Sequence, residues 1–73
     1  MTSREFEIRP SGGDWLVYVT VRWGPELRSH AGGLACSSPF PTSERAMAWV
    51  LEQFSVPRAA WARDGRGSFR ATI

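Results

Sequence analysis

The chain has 73 residues, a formal net charge of +2 and a single cysteine. A chain this short is expected to form one domain, residues 1–73, with a core worth roughly 3–5 kcal/mol unless a disulfide, a metal or a partner adds to it. The lone Cys36 excludes an intrachain disulfide, and the lone His30 argues against a zinc site. No apolar stretch is long enough to span a membrane, and the first residues are too charged for a signal peptide. We therefore expect a cytoplasmic protein, and we expect it to have no cofactor.

Two stretches near the start alternate between apolar and polar residues, the period of a half-buried β-strand. They cover about residues 4–9 and 15–23. If their apolar faces coincide, Ile8 lies opposite Val17 and Phe6 opposite Val19, and a four-residue loop forms the tip, Ser11–Asp14. The other face is then expected to be solvated, with Glu5 in diagonal reach of Arg22.

Residues 24–38 show a weaker alternation of apolar and polar residues. Gly24 and Pro25 end the second strand, and residues 26–33 are predicted to form a loop. A third strand is predicted over about residues 34–38, with Leu34 and Cys36 facing inward.

A helix follows, capped by Thr42 or Ser43 and running to about Phe54. Four apolar residues spaced i, i+3, i+4 and i+7 predict the face that covers the sheet: Met47, Val50, Leu51 and Phe54. Together these elements indicate an α+β domain. We expect an antiparallel sheet of three or four strands with one main helix on one face, a βββα order followed by a short helix and a C-terminal strand.

Trp49 lies about 160° around this helix from Met47, on its polar side. Its neighbours there are Arg45, Glu52 and Gln53. Tryptophan and arginine are favoured anchors of protein interfaces, so this face is a candidate contact surface. On this interpretation Trp49→Ala leaves stability nearly unchanged and weakens partner binding. The alternative is that the C-terminal segment folds back and buries Trp49. Trp15 and Trp23, by contrast, are predicted to lie at the core edge under the helix.

The C-terminal residues allow two predictions. Residues 57–63 form a short helix with Pro early and Gly65 beyond its end, or they form half of a hairpin that turns at Asp64-Gly65. We favour the helix. Alternation over residues 68–73 then predicts a final strand with Phe69, Ala71 and Ile73 on one face.

A second candidate surface is basic. Residues 55–73 contain four arginines and one acid, and Trp61 lies among the arginines Arg58, Arg63, Arg66 and Arg70. An aromatic side chain interleaved with arginines is typical of single-stranded nucleic-acid binding. The alternative is a solvated basic tail with Trp61 in the core, which the small overall charge favours.

Catalytic groups are few. His30 and Cys36 are six residues apart with no carboxylate placed to orient the imidazole, and Glu5 and Glu7 share an open strand face. The glycine pairs are not followed by the lysine or helix start of a phosphate loop. We therefore expect a protein that is not an enzyme.

Three short motifs carry a resemblance: Phe6-x-Ile8, Gly13-Asp14-Trp15-x-Val17 and Phe40-x-Thr42-x-x-x-Ala46. They are similar to motifs of short, uncharacterised bacterial and phage modules, and the resemblance implies a βββα layout. In size, aromatic content and lack of catalytic groups the chain also resembles, in kind, small phage-borne proteins that block host defence, such as anti-CRISPR proteins.

The sequence thus favours a small module that binds a larger protein or protein complex, in its most concrete form a phage inhibitor. The alternative is a single-stranded nucleic-acid-binding module, and the small core raises a homodimer as a third option. The residues predicted to contact the partner are Arg45, Trp49, Glu52, Gln53, Arg58, Trp61, Arg63, Arg66 and Arg70.

Overall fold

The computed structural model describes residues 2–73, so residue 1 of the predicted domain lies outside the described part. The elements are β1 (Thr2–Ser11), β2 (Asp14–Trp23), β3 (Ser29–Leu34), α1 (Ser43–Phe54), β4 (Ala62–Arg63) and β5 (Phe69–Thr72), with 3₁₀ turns over Pro25–Leu27 and Arg58–Ala60. The strands form one antiparallel sheet in the order β3-β2-β1-β5-β4. The predicted α+β class is confirmed, with five strands in place of three or four.

The β1–β2 hairpin has the predicted register. Ile8 pairs with Val17 and Phe6 with Val19. Pairing continues to Ser11 and Asp14, so the loop is two residues long and not four. Gly12 and Gly13 have φ values of 56° and 89°, and a two-residue turn of this type needs positive φ at both positions.

The core lies between the sheet and α1. Eight side chains form it: Phe6, Ile8, Val17, Ala46, Met47, Val50, Val56 and Ala71. The ring of Phe54 lies 4.9 Å from that of Phe6, which joins the end of the helix to the middle of β1. We call the face covered by α1 the helix side of the sheet and the opposite face the outer face.

Helix α1 begins as predicted, since the Thr42 hydroxyl accepts a hydrogen bond from the Arg45 backbone N–H at 3.1 Å. It ends at Phe54, where Ser55 adopts a left-handed conformation with φ of 60°. The predicted inward stripe is wrong in one member, because Leu51 is 49% exposed. Ala46 is completely buried instead, so the inward face centres on Val50.

This rotation of the inward face corrects the prediction for Trp49. Trp49 is half-buried and packs against the core. Its ring lies 5.8 Å from the ring of Phe40 and 5.7 Å from that of Phe54. The ring therefore neither projects freely from the helix nor is buried by the C-terminal segment. It is covered by Phe40, which precedes α1, and by Phe54, the last residue of α1.

The third strand is displaced from its predicted position. It covers Ser29–Leu34, of which residues 29–33 were predicted as a loop, and pairs with β2. Leu34 was predicted to face inward but pairs with Tyr18 on the outer face and is 52% exposed. An edge strand of exposed residues has no apolar alternation, and the pattern therefore could not reveal it.

The C-terminal segment forms the hairpin and not the favoured helix. Ala62 pairs with Arg70 and Arg63 with Phe69, while only one 3₁₀ turn precedes them. Strand β5 then lies against β1, and Ala71 is buried as its alternation predicts.

The two tryptophans of β2 differ in environment. Trp15 is half-buried, with its ring 5.9 Å from that of Phe69 and its backbone bonded to Phe40. Trp23 lies on the helix side but is 43% exposed, so the prediction that the helix covers it is wrong. Ile73, 44% exposed, continues β5 beside Arg4 at the same end of the sheet.

Candidate functional site

The nine predicted contact residues occupy three separate places. Arg45, Glu52 and Gln53 are exposed on the flank of α1 beside the half-buried Trp49. Arg66 and Arg70 belong to the β4–β5 hairpin, away from that flank. The third group comprises Arg58, Trp61 and Arg63, and it surrounds a groove.

We call this depression the Trp61 groove. It lies between the first half of α1 and the β4–β5 hairpin and has a volume of about 330 Å³. Its walls are Ser43, Glu44, Met47, Arg58, Trp61, Arg63 and Phe69. A smaller adjoining pocket of about 100 Å³ shares three of these residues and adds Ala48 and Leu51. The groove therefore continues along α1 to an exposed leucine.

The floor of the Trp61 groove is apolar and its rim is charged. Trp61 and Phe69 are half-buried and pack against the core, while Leu51 is 49% exposed. Arg58 and Arg63 are both exposed at the rim. The arrangement suits an apolar side chain whose neighbours carry negative charge, because arginine stems cover apolar surface while the guanidinium groups stay in water.

One carboxylate lies at the rim. Glu44 Oε1 is 3.5 Å from Arg58 Nη2, and the two side chains are 76% and 70% exposed. Exposed ion pairs of this kind contribute roughly 0–1 kcal/mol. The pair is thus easily exchanged, and a carboxylate of a bound partner can replace Glu44 at little energetic cost.

Trp61 can contact a bound molecule in the groove through its ring but not through its N–H group. The indole Nε1 is enclosed and has no hydrogen-bond partner within residues 2–73. An enclosed donor without a partner costs about 1–3 kcal/mol. Recognition in the groove consequently depends on the apolar surface of the indole and on the arginines around it.

Arg70 of the β4–β5 hairpin is less available. Arg70 Nη2 is 3.1 Å from Glu7 Oε2, and Arg70 Nε is 3.7 Å from Asp64 Oδ2. Glu7 also pairs with Arg9, whose guanidinium lies 4.2 Å from the centroid of the Tyr18 ring. On the outer face the carboxylate that pairs is thus Glu7, whereas the sequence suggested Glu5 with Arg22. Arg70 is committed to a network within the fold.

Asp64 organises the hairpin loop. Its Oδ1 accepts hydrogen bonds from the backbone N–H groups of Arg66, at 2.8 Å, and Ser68, at 3.1 Å. The Arg66 bond, then the Ser68 bond and the charge of Arg70, lower the pKa of Asp64 below its ordinary 3.8, against a smaller opposing effect of burial. The loop therefore depends on an ionised Asp64.

Acid is expected to weaken the fold partly through this residue. Because its pKa is lowered in the folded state, the stabilisation by Asp64 is complete above the unfolded pKa and is lost as pH falls through the folded pKa. We expect the difference in free energy of unfolding between wild type and Asp64→Asn to be constant well above the ordinary pKa of 3.8 and to shrink as pH falls below it. Urea unfolding at several pH values measures it, and a difference independent of pH would contradict this role.

The residues considered for catalysis are not brought together into a recognisable centre. His30 is exposed on β3, and Cys36 is half-buried after the strand ends. Within residues 2–73, no three His, Cys, Asp or Glu side chains are close enough to hold a metal ion. The same residues include no helix long and apolar enough to cross a membrane.

Among the residues of this site that sequence reasoning missed, three are large and apolar. Met47 and Leu51 were assigned to the core stripe, and Phe69 was placed on one face of the final strand with Ala71 and Ile73, although all three line the groove or its adjoining pocket. The signal that was present is the position of Leu51 at one edge of the apolar stripe, where a side chain can lie beside the sheet instead of beneath the helix.

Comparison with known proteins yields no relative: no family model, curated protein or solved structure matches the chain significantly.

Proposed function

We propose that this protein is a non-enzymatic binding module that holds a segment of a larger protein in the Trp61 groove. The observation that carries the proposal is the continuous apolar floor from Leu51 to Phe69 with Arg58 and Arg63 beside it. Grooves along a helix commonly accept apolar anchors of a partner chain, and arginine next to an aromatic residue is a frequent anchor pair.

The charge around the groove supports a partner segment with acidic residues. Residues 55–73 carry four arginines and one aspartate, and that aspartate is engaged in its own loop. A partner carboxylate next to an apolar side chain would replace Glu44 at Arg58 and pair with Arg63. In its most concrete form, the module is an inhibitor of a larger host complex, as its resemblance in kind to phage-borne proteins suggests.

Single-stranded nucleic acid remains the second candidate, and the pairing of Arg70 counts against it. Arg70 is paired with Glu7 and Asp64, so it is less free to contact a phosphate than the exposed arginines of the groove. Trp61 is half-buried, so part of its ring is covered and is not free to stack on a base.

Selection from a displayed library of random peptides tests the proposal with the full chain as bait. We expect the selected peptides to combine an apolar residue with neighbouring acidic residues. Their affinity is expected to fall about ten-fold or more with Arg63→Glu, because an attraction becomes a repulsion in a partly desolvated site. Arg45→Glu makes the same charge change on the other flank of α1 and is expected to leave affinity unchanged.

Two results would overturn this function. One is an equal loss of peptide affinity in Arg63→Glu and Arg45→Glu, which would show that affinity depends on the net charge of the protein and not on the groove. The other is selection of peptides without acidic residues together with tight, strongly salt-dependent binding of single-stranded oligonucleotides, which would favour the second candidate.

A further inference from the structure

Strand β3 has one side that no strand of residues 2–73 covers, because it lies at the edge of the sheet. The backbone N–H of Ala35, in register with β3, donates to the carbonyl of Val17 at 2.9 Å. Hydrogen bonding alternates along an antiparallel strand. The odd-numbered residues of β3 therefore bond to β2, and three residues direct their N–H and C=O groups outward: His30, Gly32 and Leu34.

This edge lacks the features that usually prevent strand pairing. All six residues of β3 are exposed, and Ser29–Leu34 contains no proline and no Asp, Glu, Lys or Arg. Natural edge strands are usually short, charged or interrupted by proline. The opposite edge follows that rule, since β4 has two residues and one of them is Arg63. The β3 edge is thus the one on which a further strand can be added.

We propose that β3 pairs with β3 of a second copy of this chain, antiparallel about a two-fold axis at Gly32. The three outward residues are spaced symmetrically about Gly32. In this register, each residue with outward N–H and C=O groups therefore lies opposite such a residue of the second copy. His30 then lies opposite Leu34 of the partner subunit, and Gly32 opposite Gly32 of the partner subunit. The two sheets join into one, with the helix sides on the same face.

The charges along β3 agree with a second copy as the occupant, and the small area limits the strength of the dimer. The register places no charged residue against another, because Arg28 at the start of the strand lies opposite Cys36 of the partner subunit. Arg28 is moreover paired with Glu26 at 2.7 Å. Six paired residues per copy cover less than the roughly 1,200 Å² of a stable complex, so we expect a weak dimer that forms at high protein concentration.

Amide hydrogen exchange of the full chain, followed by NMR, tests which backbone N–H groups of β3 bond to β2 and which bond to a second copy. The comparison is between a dilute sample and one about fifty-fold more concentrated. We expect the amides of His30, Gly32 and Leu34 to be unprotected when dilute and protected when concentrated. Those of Ala31 and Gly33 bond to β2 and are expected to be protected in both samples. Outward amides that stay unprotected at high concentration would overturn the proposal.

A charge swap tests the register. His30→Glu/Leu34→Glu places like charges opposite each other twice in the dimer, whereas His30→Glu/Leu34→Lys places opposite charges there. Both double variants change the same exposed positions, so their monomers serve as matched controls. Sedimentation equilibrium is expected to give dimer dissociation constants that differ about ten-fold in favour of the second variant. Equal constants, or protection of the outward amides only when an unrelated extended peptide is added, would overturn pairing with a second copy.

Self-pairing at β3 does not rest on the binding role of the Trp61 groove. The two surfaces lie at opposite edges of the sheet, and either test can fail without affecting the other.

Discussion

Replacing Trp49 with alanine is expected to lower the free energy of unfolding by about 2–3 kcal/mol. The indole packs against the rings of Phe40 and Phe54, so its removal leaves a gap beside both. For a domain this small, that loss is a large part of the total stability. Urea denaturation followed by circular dichroism measures it. The result would reverse the expectation, drawn from the polar neighbours of Trp49, that this change affects binding alone.

Leu51→Ala is the matched control. Leu51 lies on the other side of Val50 from Trp49 and is 49% exposed, so we expect its truncation to change stability by less than about 0.5 kcal/mol. If Leu51→Ala destabilised the protein more than Trp49→Ala, the inward face of α1 would be the Met47–Leu51 stripe after all.

Phe6→Ala is expected to have the largest effect on stability of any single substitution. Phe6 is completely buried in the middle of β1, and its ring contacts that of Phe54. Truncation of a buried phenylalanine costs about 3–5 kcal/mol, which equals the stability expected of a core this small. The variant is therefore expected to be largely unfolded at 25 °C, as shown by loss of near-ultraviolet circular dichroism and of dispersed amide signals.

Phe6→Leu separates packing from strand formation. Leucine keeps an apolar side chain of similar size on the same face of β1, so we expect the variant to stay folded with a smaller loss. A folded Phe6→Ala variant with near wild-type stability would mean that the core does not depend on the contact between β1 and α1.

The register of the β1–β2 hairpin was predictable because its two strands are half-buried, although the length of its loop was not. Only one register places Phe6 and Ile8 beside the valines of β2, and a shift by one residue would bring Glu5 and Glu7 there instead. The helix start was predictable for a similar reason, since a capping hydroxyl and an acidic first turn are local signals. Local chemistry and one-sided burial therefore determine these elements without knowledge of the rest.

The errors arise where tertiary contacts decide. Ala46 was not counted in the apolar face of α1, yet it is completely buried, and with it on the inward face Trp49 packs against the core while Leu51 is exposed. Strand β3 forms because β2 offers it an open edge, and its own residues carry no pattern. The Asp64 carboxylate accepts two backbone hydrogen bonds that stabilise the hairpin loop, and both can form only when residues 64–68 already adopt that loop.

The candidate site could be predicted in part. Trp61 lies with Arg58 and Arg63 in the structure, as their proximity in sequence suggested. Arg70 is drawn to Glu7, 63 positions away, and so leaves that group. Such long-range pairing depends on the order of strands in the sheet, which the C-terminal sequence alone does not contain.

The position of β1 between β2 and β5 has a consequence for how the chain folds. One side of β1 pairs with its immediate successor through a two-residue turn, whereas the other side pairs with residues 69–72. The first pairing is local and can form early, while the second must close a loop of almost the whole chain and is correspondingly slow. On the ribosome, the β1–β2 hairpin is therefore free to form well before β5 has been made. One side of β1 then stays unpaired until the β4–β5 hairpin emerges.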